Sequence, residues 1–178
     1  KAIRFEEAKT RPMGRSASGV RGISLAHHAD EVIGMIAVDN MESNILVVSE
    51  NGYGKRSSLE DYRITNRGGK GVKTISITEK TGNLVSIKNV TDEDDLMIIN
   101  KSGVAIRLAV EDLRVMGRAT QGVRLINLKG NDSIAAVAKV MREDEEEMDE
   151  ALEQTDEGAG EINATQTDET TTDTQEEE

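Results

Sequence analysis

The feature that most constrains this chain is a three-fold internal repeat with spacings of 52 and then 51 residues. Alignment at those spacings superposes Arg4, Arg56 and Arg107, then Arg11, Arg63 and Arg114. It also superposes Arg15, Arg67 and Arg118, and Arg21, Lys73 and Arg124. A glycine column (Gly19, Gly71, Gly122) is followed directly by Val20, Val72 and Val123, and then by Ile23, Ile75 and Ile126. Periods near 50 residues signal arrays of supersecondary units that stack on their neighbours.

Each copy reads as β structure. In "NILVVSENGYGKRSSL" (44–59) an apolar run meets a turn at Asn51-Gly52 and a second polar–apolar segment, the pattern of a hairpin. "DLMIINKSGVAIRL" (95–108) repeats it around Ser102-Gly103. "NLVSIKNV" (83–90) matches "EVIGMIAV" (31–38) and "SIAAVAKV" (133–140), and "GVKTISIT" alternates apolar and polar residues. About four short strands per unit predict an all-β, propeller-like array of four-stranded blades. The units are 1–43 (partial), 44–94 and 95–142. Copy one has no hairpin strand before Lys1, so the chain reads as the C-terminal piece of something longer, with Gly expected just before Lys1.

Charge divides the chain in two. Residues 1–142 hold all 22 Lys and Arg against 17 Asp and Glu, a net of +5, while residues 143–178 hold 17 acids and no Lys or Arg. The tail has too little apolar surface to offset the entropy of ordering it, and disorder is expected there. Tethered to a basic surface, it can compete with other polyanions or act only as a solvating appendage. No apolar run approaches the length of a membrane span, and no Cys is present, which points to a soluble intracellular protein.

Two readings of the basic columns compete. Acids such as Glu6, Glu60, Asp61, Glu111 and Asp112 recur just upstream and can hold the arginines internally. Against that, a basic group at one place on every copy makes a track for a polyanion, with duplex DNA the natural occupant. Candidate DNA-binding residues are Arg4, Arg15, Arg21, Arg56, Arg67, Lys70, Lys73, Arg107, Arg118 and Arg124. Gly19, Gly71 and Gly122 are expected at turns that need positive φ or a bulge.

Other motifs fail on chemistry. "GYGKRSS" has Arg56 where a phosphate loop needs Ser or Thr. His27-His28 is neither repeated nor accompanied by Cys, and "DEDD" (92–95) lacks the spacing of a calcium loop, so no metal is assigned. Tyr53 and Tyr62 have no accompanying base motif, and no catalytic residue is assigned.

The repeated Arg-x-x-x-Gly-Val, with "IRF", "GKR" or "AIRL" upstream, resembles the C-terminal domain of the DNA gyrase A chain, in the type IIA topoisomerase family. The resemblance covers residues 1–142, and the acidic tail is similar to tails in that family. It implies a β-pinwheel, in which neighbouring blades exchange strands and DNA bends around a basic rim to support negative supercoiling. "RGGKG" (67–71) is similar to the core of the gyrase box, but Thr65-Asn66 stand where the full box carries Gln-Arg. The residues therefore resemble a later-blade relative of the box. The resemblance further implies duplex DNA, the rest of gyrase A and gyrase B as partners, in the bacterial cytoplasm at the nucleoid and without membrane contact. ATP, Mg and the catalytic residues belong on this view to the holoenzyme, outside this chain. The equivalent domain of topoisomerase IV, or a propeller-type protein-interaction platform with structural arginines, is the alternative.

Overall fold

A computed structural model describes residues 1–142; the acidic tail, 143–178, lies outside the described residues. Seven strands form: β1 (Asn44–Ser49), β2 (Tyr53–Ser58), β3 (Leu84–Val90), β4 (Asp94–Asn100), β5 (Ala105–Ala109), β6 (Val123–Arg124) and β7 (Ile134–Met141). Short 3-10 turns cover Glu7–Lys9 and Leu59–Asp61.

The strands make two antiparallel sheets, in the orders β3-β1-β2-β6 and β5-β4-β7. Copy two supplies β1, β2 and β3, but the fourth strand of its sheet, β6, comes from copy three. The same exchange is present in miniature one copy earlier, where Ala2 bridges Val72. The Gly-Val motifs of copies two and three thus pair with the copy before them, which is the strand exchange of a β-pinwheel.

Burial explains why β1 is so apolar. Its residues alternate between two cores, as side chains on a strand must. Leu46 and Val48 enter one core with Val90, Leu96, Ile98, Val110, Ile134 and Val137. Ile45 and Val47 enter the other, with Leu59, Tyr62 and Ile75. A strand covered on both faces loses the polar alternation of a half-exposed one. In β7, by contrast, Ile134 and Val137 are buried while Ala135, Ala136, Ala138 and Lys139 are exposed. With almost no aromatics available, aliphatic side chains fill the first core and, together with Tyr62, the second.

One expected strand is missing. Residues 31–38 match β3 and β7 in sequence yet form no strand, and Met35 is 88% exposed. In the other two copies this segment pairs with the first strand of its own hairpin, β1 or β4. Copy one contains no such strand in this sequence, so its backbone groups have no ladder to join. Ile36 and Val38 still pack against the second core. Among the described residues no helix is long and apolar enough to cross a membrane.

Candidate nucleic-acid interface

Where neighbouring copies meet, a seam forms, and the repeated residues build the two seams alike. Gly71 has φ 69° and Gly122 has φ 87°, the left-handed region that L side chains avoid. Both also lie against the preceding copy. A Cβ on Gly71 would come within 2.5 Å of the Ala2 carbonyl, and one on Gly122 within 2.5 Å of the Gly54 carbonyl. Gly19 shares the positive φ but has open space around it.

The first arginine column turns inward at both seams. Nη1 of Arg4 donates to the carbonyls of Leu59 (3.0 Å) and Tyr62 (3.3 Å). Arg56, 6% exposed, binds the Leu113 and Glu111 carbonyls and pairs with Asp92. Tyr62 and Leu113 are equivalent positions, so each guanidinium closes the same turn of the next copy. Arg107 has no following copy in this sequence and pairs with Asp95 at 2.6 Å. The Arg56 guanidinium, expected at a DNA-facing position, is here buried and already hydrogen-bonded. Arg4 and Arg107 also form structural contacts.

The third and fourth columns behave differently. Nη1 of Arg67 approaches the Arg21 carbonyl at 3.5 Å, and Nη1 of Arg118 donates to the Lys73 carbonyl at 2.9 Å. These contacts again occupy equivalent positions, so each seam brings two cationic residues together. Arg15, Arg21, Arg67, Lys70, Lys73 and Arg124 are exposed, and Arg118 is half-buried. Among the described residues none of the seven forms an ion pair; the pairs belong to Lys9, Arg56, Arg107, Lys139 and Arg142. At the second seam a carboxylate oxygen of Asp61 accepts the backbone N–H of Arg118 at 3.3 Å.

Two further cations stand outside the candidate residues. Arg63 lines, with Lys70, Thr65 and Asn66, a cleft of about 240 Å³ at the first seam. Its alignment with Arg11 and Arg114 was the available signal. Lys55 occupies a column that is Ile3 and Ile106 in the other copies. It is 1% exposed, and its Nζ donates to the Gly117 carbonyl at 2.6 Å. Burial depresses its pKa to about 8; Asp61 opposes the shift, and Arg118 and Lys73 reinforce it. Among the described residues no cluster of three or more His, Cys, Asp or Glu could hold a metal.

The chain is similar to known proteins. The chain matches the family described as DNA gyrase C-terminal domain, beta-propeller, over residues 1–39, 43–91 and 94–141. It is 53% identical over 149 residues to the A chain of DNA gyrase from Staphylococcus aureus strain COL, and 54% identical over 150 residues to that of strain MRSA252. Each match covers 83% of this chain but only 17% of the relative's length. A solved DNA gyrase A C-terminal domain superposes with a TM-score of 0.70 at 28% identity, covering 77% of this chain and 46% of that one. The C-terminal domain of a DNA topoisomerase IV shares the fold, with a TM-score of 0.72 at 22% identity over 85% of this chain and 47% of its own.

Proposed function

This chain belongs to the DNA gyrase C-terminal domain, beta-propeller family, and from that premise we propose that it binds and wraps duplex DNA on behalf of a type II topoisomerase. The observation that carries this reading is the set of third- and fourth-column cations left without an ion pair among the described residues, Arg67 and Arg21 at one seam and Arg118 and Lys73 at the next. Unpaired cations at equivalent places on both seams give a polyanion laid across them a row of charges to neutralise. The contacts are to the phosphate backbone, through Arg15, Arg21, Arg67, Lys70, Lys73, Arg118 and Arg124. Backbone contacts fix register without reading sequence. Arg4, Arg56 and Arg107 hold the scaffold that carries them.

The module acts within a longer enzyme, alongside gyrase B and the rest of gyrase A in the bacterial cytoplasm. Strand cleavage and ATP use, with its Mg, belong to those parts. This chain supplies grip and curvature to the DNA.

Fluorescence anisotropy on duplexes of unrelated sequence tests the binding. If about four phosphates are neutralised, log K should fall against log salt with a slope of ~−3.6. Similar affinities across the duplexes are expected. A flat salt response would overturn the reading. Wrapping has its own measurement: nicked circular DNA sealed in the presence of the chain should show a changed linking number, and an unchanged one would leave binding without wrapping.

A further inference from the structure

At the second seam, three hydrogen-bond donors converge on a spot that the repeated columns do not define. Tyr53 lies directly across from Arg124 in the β2–β6 pairing. Nη2 and Nε of Arg124 donate to the phenol oxygen at 2.8 and 3.3 Å, and the guanidinium carbon is 5.4 Å from the ring centre. Nζ of Lys80 is also 5.4 Å from that centre. The arrangement is held from outside. Nδ2 of Asn51 donates to the carbonyls of Glu79 (3.1 Å) and Lys80 (3.3 Å), fixing the turn that carries Lys80. Nη1 of Arg124 is steadied by Oδ1 of Asn127 at 3.2 Å.

We propose that Lys80 and Arg124 grip a backbone phosphate of duplex DNA at this seam, with Tyr53 as the positioning residue between them. The inference rests on the DNA-binding reading above. The chemistry of the donor set favours an anion. Neither cation has a carboxylate partner among the described residues, and the phenol oxygen already accepts from Arg124. The phenol's own hydrogen has no acceptor among the described residues, so it can be donated outward to a phosphate oxygen. A rigid aromatic ring beside two cations also limits their conformational freedom. The phenol pKa is lowered, first by the Arg124 hydrogen bond and then by the charges of Arg124 and Lys80, against an opposing effect of burial. The site thus stabilises negative charge even when that charge is its own.

No other copy has the set. Tyr53 aligns with Lys1 and Val104, and Lys80 with His28 and Asn131. The clamp therefore marks one seam, where the shared columns mark every seam.

The chain carries two tyrosines and no Trp, so tyrosine fluorescence and phenolate absorbance report on Tyr53 and Tyr62 alone. Lys80→Ala and Arg124→Ala should each weaken binding of a short duplex about 3-fold or more and reduce the salt slope by up to ~0.9. Tyr53→Phe keeps the ring and should weaken binding only where Arg124 is present, with no further loss on top of Arg124→Ala. Saturating duplex should raise the titration of the Tyr53 phenol, assigned by its loss in Tyr53→Phe. A folded Lys80→Ala chain that binds as the unaltered one does, or a phenol titration that DNA leaves unmoved, would overturn the clamp. No DNA binding by the unaltered chain would instead overturn the functional reading on which it rests.

Discussion

The two seams use the same frame and fill it differently. In both, a Gly-Val motif enters the preceding sheet, an arginine closes the following turn, and a second arginine reaches across to a backbone carbonyl. Even a minor contact recurs: the amide of Ser24 donates to Gly69 at the first seam, and its equivalent, Ser76, donates to Thr120 at the second. The fillings diverge. Where the first seam has Ile3, the second buries Lys55; where the first has Lys1, the second has Tyr53. Repeated positions therefore set geometry, and the positions between them set the character of each junction.

The comparison can be broken most severely at its glycines. A side chain at Gly122 meets both a forbidden φ and the Gly54 carbonyl, whereas one at Gly19 meets only the φ. Gly122→Val should cost roughly 3 kcal/mol in urea unfolding, and Gly19→Val about 1. Equal losses would mean that close approach at the seam contributes nothing.

The inward arginines come next. Arg56→Met removes a buried guanidinium from the Leu113 and Glu111 carbonyls and from Asp92 and should cost ~1–3 kcal/mol, while Arg4→Met, in a more open setting, should cost less. Neither should change the salt slope of DNA binding if the first column is structural. A reduced slope with unaltered stability would return those residues to the DNA surface.

Lys55 separates the seams by pH. Its folded pKa is about 8 against an ordinary 10.5, so between those values the unfolded chain binds more protons. Stability from this group must therefore rise with pH across that window. Above pH 10 the raised pKa of buried Tyr62 works in the opposite direction and the lowered pKa of Tyr53 acts below it, so Lys55 is isolated by comparison with Lys55→Ile, in which both tyrosines remain. Relative to Lys55→Ile, the unaltered chain should gain about 1–3 kcal/mol across the window in thermal unfolding. Parallel curves for the two chains would show that the ammonium is not desolvated.

The smallest effect on stability belongs to the outward arginines. Replacing Arg15, Arg67 and Arg118 by Ala should each change stability by under ~0.5 kcal/mol. DNA affinity should nevertheless fall stepwise, with the salt slope shrinking by up to ~0.9 per site. Loss of the fold at any single step would make these residues scaffold as well.

Much of this was legible in the sequence because repetition exposes backbone constraints. Gly71 and Gly122 stand out since glycine alone takes their φ without strain and leaves room for the carbonyl against it, and β1 stands out since burial on both faces demands an unbroken apolar run. What stayed hidden depends on contacts between copies. Arg56 and Arg118 look alike in an alignment, and only the fold turns one inward to Leu113 and leaves the other across Lys73. Tyr53 and Lys80 are 27 residues apart and fall outside every column, so their meeting is a product of the turn that Asn51 holds. The register of the fourth strand was equally unreadable, because the two residues of β6 pair with a copy other than their own.

That offset between repeat and sheet bears on ancestry. A duplicated segment in this fold does not arrive as a finished module; it completes its predecessor and leaves its own sheet one strand short. Among the described residues the sheet β5-β4-β7 has three strands where β3-β1-β2-β6 has four, the fourth of the latter being borrowed. Gain or loss of a copy is therefore an exchange of strands between generations of the gene, in which each newcomer must fit an older edge before it can present one. A copy that did not fit that joint would leave an open edge on both sides of it.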